Sequence, residues 1–168
     1  MSKFLTDKRI GKVGESATID YFNSQGYKVV DVSESADYQK IDIDLIVDDE
    51  FIEVKTQSGI HNKNVITLEL DVELQYNTNT VYKQGWFNTS EADKILFYDK
   101  ETNTAYLIDL IELRKIFNEN QEEISVYYYD EETRKGTKIS KLAFVDIDFL
   151  KSKSKTLLFY NYDNSIGQ

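Results

Sequence analysis

Residues 41–56 read IDIDLIVDDEFIEVKT, two mostly apolar stretches separated by the acidic pair Asp48-Asp49. Both stretches alternate charged and apolar side chains over several positions, which is typical of half-buried β-strands. A two-residue turn at the acidic pair would join the strands, because Asp tolerates the left-handed backbone conformation that such turns require. The segment therefore predicts a β-hairpin with strands over Ile41–Val47 and Phe51–Thr56.

The turn determines which residues of the two strands face each other. If the two aspartates form it, Asp44 lies opposite Glu53, and Asp42 lies opposite Lys55. Directly paired residues share a face of the hairpin, as do alternate residues along each strand. One face therefore carries these four charged side chains. The other face is apolar except beside the turn, and it carries Ile43, Leu45, Val47, Ile52 and Val54. We interpret the apolar face as core and the charged face as a candidate site.

Two carboxylates paired across strands repel each other, so this arrangement favours a cation between them. Magnesium prefers oxygen ligands and commonly takes one or two carboxylates. Asp44 and Glu53 are therefore candidate metal ligands, and Lys55 would orient a bound water or offset charge on a phosphate. Gln57 continues the same face as an accessory candidate. Two alternatives stay open: an ordinary solvated face, and a longer loop that puts Asp42 in the place of Asp44.

The spacing of these residues resembles a known signature. Asp44, followed nine residues later by Glu53-Val54-Lys55, resembles the motif of the PD-(D/E)XK nuclease superfamily, an Asp on one strand and Glu-x-Lys on the next. Ile43 stands where the motif has its nominal proline, a frequent variation. The resemblance covers about residues 9–57.

A second segment supports the same resemblance. Residues 11–22, GKVGESATIDYF, are similar to the helix that opens many superfamily members, including archaeal Holliday-junction resolvases and Mrr-type restriction nucleases. That helix supplies a further Glu to the metal site, which corresponds to Glu15. Gly85-Trp86 and the run Ser90–Asp93 are more weakly similar to small phage-encoded nucleases of the superfamily.

The resemblance implies a fold and an activity. The expected fold is α/β, a mixed central β-sheet flanked by helices with a restriction-endonuclease-like core, in a single nuclease-like domain over residues 1–168. The expected activity is that of a Mg²⁺- or Mn²⁺-dependent endodeoxyribonuclease, a hydrolase that cleaves DNA phosphodiester bonds, with branched DNA as a substrate by analogy. Asp44, Glu53, the Val54 carbonyl and Glu15 would bind metal, and Lys55 would join Asp44 and Glu53 in catalysis. Dimerisation is implied by the same analogy.

The charge balance favours a different class of function. The formal net charge is −10, and residues 15–130 alone carry −15, whereas DNA-binding surfaces are usually basic. The alternative is therefore a catalytically silent acidic binding protein, a DNA mimic or a protein-interaction domain, on a nuclease scaffold. Residues 131–168 carry seven basic and five acidic side chains. In that segment Lys151, Lys153 and Lys155 form the best candidate patch for DNA phosphates.

Composition excludes several other kinds of site. The chain has no cysteine and one histidine, His61, so disulfides, thiolate metal sites, cysteine nucleophiles and multi-histidine zinc sites are excluded. No apolar run approaches the roughly 18 residues of a membrane-spanning helix. The charged N-terminal segment has no apolar region of the kind that signal peptides carry, so we expect a cytoplasmic protein.

Periodicity and turn residues predict the remaining elements. The predicted helices cover residues 7–25, 109–118 (with Asp109 as N-cap) and 146–152. The further predicted strands cover residues 27–32, 65–74, 94–98, 104–108, 125–129 and 138–145.

Overall fold

The structure, a computed structural model, describes residues 3–76, 78–133 and 136–165. In chain order its elements are α1 (Lys3–Ser24), β1 (Val29–Asp31), α2 (Ala36–Gln39), β2 (Leu45–Val47), β3 (Glu50–Gln57), α3 (Ile60–Lys63), β4 (Val65–Gln75), β5 (Thr80–Gln84), α4 (Trp86–Thr89), β6 (Lys94–Asp99), β7 (Thr104–Asp109), α5 (Leu110–Glu119), β8 (Ser125–Thr133), β9 (Gly136–Asp146), α6 (Ile147–Lys153) and β10 (Leu158–Asn161). Short 3₁₀ turns cover Gln121–Glu123 and Tyr162–Ser165.

The strands form two sheets. Six strands make a mixed sheet in the order β1-β2-β3-β6-β7-β10, in which β3 and β6 pair in parallel and the other neighbours pair antiparallel. Four strands make an antiparallel sheet in the order β5-β4-β9-β8. The expected α/β class, with a mixed central sheet and flanking helices, is confirmed. The single domain over residues 1–168 stays a prediction.

The six-stranded sheet is buried on both faces. On one face, α1 and the 3₁₀ turn at Tyr162–Ser165 cover a cluster that consists of Phe22, Leu45, Val47, Ile52, Val54, Leu96, Tyr98, Ala105, Leu107 and Tyr162. On the other face, α5, α6 and the four-stranded sheet complete a larger cluster that includes Ile43, Ile66, Leu68, Ile95, Phe97, Ile108 and Leu113. β3 lies between these two cores, so its alternate residues point into different environments.

The predicted hairpin register is confirmed over Leu45–Val47, but the paired stretch ends before Asp44 and Glu53. Leu45 pairs with Ile52, and Val47 pairs with Glu50. Asp48 and Asp49 form the turn with φ of 46° and 71°, the left-handed values that a two-residue hairpin turn requires.

The predicted first strand of this hairpin is too long. β2 begins at Leu45 rather than at residue 41. Asp42 has φ of 54°, and this left-handed residue interrupts the strand alternation. Ile43 consequently packs in the larger cluster, on the opposite face of the sheet from Leu45. The predicted continuous apolar face is therefore wrong at Ile43, and Asp42 does not pair with Lys55.

Other differences concern elements with weak local signals. β5, β10 and the one-turn helices α2, α3 and α4 were not predicted, whereas β8 and β9 are longer than expected. α1 begins at Lys3, four residues before the predicted start. None of the helices in the described ranges combines the length and the apolar composition needed to cross a bilayer.

Candidate active site

A cleft of about 560 Å³ opens between α1 and the second half of β3. Its lining consists of Ile10, Gly11, Glu15, Asp44, Glu53, Val54, Lys55, Thr56, Gln57, Ser58 and Lys100. Six residues proposed from the sequence, namely Glu15, Asp44, Glu53, Val54, Lys55 and Gln57, therefore meet in one place. The structure brings them together because β3 lies directly under α1 and next to the chain that leads into β2.

Asp44 is held by the backbone of β3. Its N–H donates to the Ile52 carbonyl at 3.0 Å, although Leu45 is the residue that pairs with Ile52, so the hairpin register becomes irregular at Asp44. Its Oδ2 atom accepts a hydrogen bond from the Val54 N–H at 2.9 Å. Burial raises the pKa of the Asp44 carboxyl despite this hydrogen bond and the nearby Lys55. The Asp44 carboxylate thus has a fixed position beside Glu53.

Glu53 is the most buried acid of the cleft, with 4% of its surface exposed. Its Oε1 atom forms an ion pair with the Lys55 ammonium. Burial raises the pKa of Glu53, the Asp44 carboxylate raises it further, and Lys55 opposes both effects. For Lys55, burial lowers the pKa, but the Glu53 carboxylate more than compensates and the pKa is raised overall. Lys55 is thus the cation that balances the acidic pair in this structure.

Glu15 faces these groups from α1. Its Oε2 atom lies 3.1 Å from the Lys12 ammonium, one turn earlier on the helix. Lys12 also lies 2.9 Å from Glu34 Oε1 and donates to Ser33 Oγ at 2.9 Å. Glu15 Oε2 is buried and has this ion pair without a hydrogen bond of good geometry. Glu15 therefore lies on the helix side of the cleft, while Asp44 and Glu53 belong to the sheet side.

Gly14 determines how closely α1 approaches the sheet. A Cβ atom at Gly14 would overlap Thr56 Oγ1 and would lie 3.1 Å from Tyr98 Cδ1. Thr56 Oγ1 also donates to the Gly11 carbonyl at 3.3 Å. Gly14 thus lets the backbone of α1 contact the Thr56 side chain, next to the position of Glu15.

The donor set fits a magnesium-type ion through two carboxylates. Among residues 3–76, 78–133 and 136–165, no group of three or more His, Asp or Glu side chains is arranged to hold a metal ion. Asp44 and Glu53 supply two adjacent carboxylates, whose oxygen atoms are hard ligands, and Mg²⁺ commonly binds only one or two protein carboxylates. Glu15 stays a predicted ligand on the far side of the cleft.

The accessory candidates differ in their surroundings. Gln57 lines the cleft, but its side-chain amide is occupied: Nε2 donates to the Thr67 carbonyl at 2.9 Å, and Oε1 accepts from the Thr67 N–H at 3.2 Å. Asp42 lies outside the cleft lining, and its Oδ2 atom accepts from Thr89 Oγ1 at 3.0 Å. Asp42 is therefore outside the lining but close enough for its charge to raise the pKa values of Glu53 and Lys55, and Gln57 joins β3 to β4.

The lysines of the predicted basic patch are not among the residues that line the cleft. Lys151 lies 3.0 Å from Asp148 on α6, Lys153 lies over the Phe149 ring at 5.4 Å, and Lys155 follows the helix. The cleft contains instead Lys100, whose backbone N–H donates to the Gln57 carbonyl at 3.2 Å. Lys100 was missed because only the parallel pairing of β3 with β6 brings it there.

Trp86 is the second residue that the sequence did not place. Its ring centroid lies 4.9 Å from the Lys55 ammonium, within the range of a cation–π contact. The ring also packs near Phe97, with centroids 6.2 Å apart. The contact of Trp86 with Lys55 follows from long-range packing that no local pattern encodes.

Comparisons with known proteins give distant likenesses. No family model matches the chain. A UPF0102 protein of Flavobacterium psychrophilum is 27% identical over 99 residues, which cover 45% of this chain and 82% of that protein. A solved bacterial homing endonuclease, I-Ssp6803I, aligns with a TM-score of 0.46 and 17% identity over 61% of this chain and 68% of the other. Neither likeness assigns a family, so the chemistry of the cleft must carry the functional conclusion.

Proposed function

We propose that the chain is a Mg²⁺- or Mn²⁺-dependent endonuclease that hydrolyses DNA phosphodiester bonds, with branched DNA among its substrates. The observation that supports the proposal is the meeting of Asp44, Glu53 and Lys55 in one cleft, with Glu15 facing them from α1. Adjacent carboxylates can hold a divalent ion, and an ammonium group can stabilise the charge that develops during phosphodiester hydrolysis.

Asp44 and Glu53 would hold the ion, with the Val54 carbonyl and Glu15 as further oxygen donors. A bound Mg²⁺ or Mn²⁺ supplies Lewis-acid stabilisation of the phosphate and lowers the pKa of water. The Val54 N–H orients Asp44 for this role, since it fixes one carboxylate oxygen at 2.9 Å.

Two lysines of the cleft would supply positive charge for DNA binding, within a chain whose acidic residues outnumber its basic ones. Lys55 lies beside Glu53, where its ammonium would stabilise the negative charge that develops on a phosphate oxygen. Lys100 is exposed and lines the same cleft, where it would contact a phosphate of the bound strand. Local positive charge at the cleft would thus offset the overall charge of −10.

Cleavage of supercoiled plasmid and of a four-way junction in Mg²⁺ or Mn²⁺, with EDTA as the blank, tests the proposal. Glu53→Ala and Lys55→Ala should abolish cleavage while circular dichroism shows a retained fold. Lys94→Met is a matched control, because Lys94 also pairs with a glutamate of β3, at 2.7 Å from Glu50, yet lies outside the cleft lining. Full activity in the Glu53 and Lys55 variants would overturn the assignment.

The competing function is the acidic binding protein, and the charge of −10 favours it. It predicts no cleavage under any metal, and no change in DNA affinity when Ca²⁺ is added as a non-catalytic ion. The endonuclease predicts weak DNA binding that Ca²⁺ strengthens, with a steep loss of affinity as salt rises. Fluorescence anisotropy with labelled junction DNA distinguishes the two.

The location of the DNA surface is a separate question. Changing Lys151, Lys153 and Lys155 together to Gln tests the predicted basic patch without deleting the chain that forms β10. Unchanged affinity for junction DNA in this triple variant would remove the patch from the DNA contact and leave the cleft lysines as the contact.

A further inference from the structure

The ammonium of Lys55 is held from two sides. Glu53 forms an ion pair with it, and the Trp86 ring centroid lies 4.9 Å from its Nζ atom. Lys55 lines the cleft, and about 25% of its side chain is exposed. A flexible four-carbon side chain loses most of its freedom when both contacts are made.

Trp86 is itself fixed by the second sheet. The Gly85 N–H donates to the Leu70 carbonyl at 2.8 Å, and Asn88 Nδ2 donates to the same carbonyl at 2.8 Å. A Cβ atom at Gly85 would overlap the Glu69 carbonyl oxygen, so the chain touches β4 immediately before the tryptophan. The indole position is therefore set by backbone contacts.

The same segment, residues 85–90, also holds the chain that leads to Asp44. Thr89 Oγ1 donates to Asp42 Oδ2 at 3.0 Å, and Ser90 Oγ donates to the Asp42 carbonyl at 3.0 Å. Asp42 has the left-handed φ of 54° that redirects the chain toward Asp44. One short segment thus contacts both the lysine and the acidic strand of the candidate site.

We propose that Trp86 is a positioning residue for Lys55: its indole face and Glu53 together hold the ammonium at the cleft, where it would meet a phosphate oxygen. The proposal rests on the endonuclease function for its catalytic consequence. The geometric part, a cation held on the indole face, stands without it. Trp86 does not touch the substrate in this scheme and acts through Lys55.

Fluorescence tests the geometric part directly, because Trp86 is the only tryptophan in the sequence. Selective excitation of indole in the metal-free protein reports on this one ring. Lys55→Met should change the intensity or the emission maximum of Trp86, since it removes the charge from the ring face. Lys94→Met, the matched control, should leave the emission unchanged. Emission in Lys55→Met identical to that of the wild type would overturn the proposal, whether or not the protein cleaves DNA.

Single-turnover kinetics test the catalytic part. Trp86→Leu keeps an apolar side chain without a π face, and Trp86→Phe keeps a weaker one. We expect the cleavage rate at saturating DNA to fall about 3- to 30-fold in Trp86→Leu, and less in Trp86→Phe, with DNA affinity unchanged. Melting curves identify a Leu variant that does not fold, in which case the Phe variant carries the test.

The experiments distinguish failure of the endonuclease function from failure of the positioning role of Trp86. A wild-type protein that never cleaves DNA, combined with a Lys55-dependent emission, refutes the endonuclease and retains the indole–ammonium contact. Cleavage with equal rates in the wild type and the folded Trp86 variants refutes the positioning role and retains the endonuclease. A loss of DNA affinity with an unchanged rate would make Trp86 a binding residue and would also refute positioning.

Discussion

Gly14 offers the sharpest test of how α1 is held against the sheet. Gly14→Ala adds a methyl group that overlaps Thr56 Oγ1 and approaches Tyr98 Cδ1 at 3.1 Å and Thr56 Cβ at 3.2 Å. Overpacking of this kind typically costs about 1–3 kcal/mol, whereas Ala gains about 1 kcal/mol over Gly inside a helix. We expect the free energy of unfolding to fall by up to about 2 kcal/mol, which for a chain of this size lowers the melting temperature by up to about 8 °C.

Gly11→Ala is the matched control in the same helix. A Cβ atom at Gly11 would meet only Glu15 Oε1, at 3.9 Å, which is an ordinary contact. The helix propensity then acts alone, and we expect this variant to be as stable as the wild type or more stable by up to about 1 kcal/mol. Urea denaturation followed by circular dichroism measures both variants under identical conditions.

A double-mutant cycle with Thr56→Ala identifies the clash. Removing Oγ1 relieves the largest overlap, so Gly14→Ala should cost less in the Thr56→Ala background, with a coupling energy of at least about 0.5 kcal/mol. Equal stability of the Gly11 and Gly14 variants, or strict additivity in the cycle, would refute the close approach of α1. The consequence would reach the candidate site, because the same contact positions Glu15.

Three further predictions concern other parts of the molecule. Glu112→Gln should lower the free energy of unfolding at neutral pH by about 1–2 kcal/mol. The Glu112 carboxylate accepts hydrogen bonds from two hydroxyls and two backbone N–H groups in the chain after α6. Burial raises the pKa of Glu112, but these hydrogen bonds outweigh burial and hold the pKa at about 2. This difference should shrink as the pH falls from about 4.5 toward 2, and urea titrations that show a pH-independent difference would contradict the role of the carboxylate. Glu53→Gln should stabilise the metal-free protein increasingly as the pH rises from about 4.5 to about 8, because burial raises the pKa of Glu53 to about 8 and the unfolded wild type releases this proton first. Melting curves in EDTA and in Mg²⁺ should then reverse their order. A mutant less stable than the wild type in EDTA would show that the ion pair of Glu53 with Lys55 dominates. Lys100→Gln should weaken DNA binding and lower the slope of log affinity against log salt by about 1, and an unchanged slope would exclude a phosphate contact.

The hairpin was predictable from sequence because its information is local. A two-residue turn that tolerates positive φ and a clear alternation on β3 determine the register of Leu45–Val47. Asp44 lies just before this paired stretch, where its side chain accepts a hydrogen bond from the Val54 N–H. The left-handed Asp42 was not predictable, because the hydroxyl groups that hold it belong to Thr89 and Ser90, more than 40 residues away in sequence.

The rest of the site depends on pairing between distant segments. Lys100 and Trp86 approach β3 only because β6 pairs with it in parallel and because α4 packs against β4. Parallel pairing requires a long connection whose path leaves no periodic signal in the sequence. The site residues of the hairpin were therefore predictable from the local sequence, whereas Lys100 and Trp86 were not.

The hydrogen bonds between Gln57 and Thr67 link hydrogen exchange at the Thr67 amide to ligand binding in the cleft. Its side-chain amide makes with Thr67 both hydrogen bonds that a neighbouring strand residue would make, so it joins the two sheets at the floor of the cleft. A ligand that recruits this amide must release the Thr67 N–H to solvent. Hydrogen exchange at that single backbone position should then quicken on ligand binding, while most other amides of β4 keep their cross-strand protection. A ligand that leaves Gln57 in place should slow the same exchange. The exchange rate of the Thr67 amide would therefore distinguish ligands that displace the Gln57 side chain from ligands that do not.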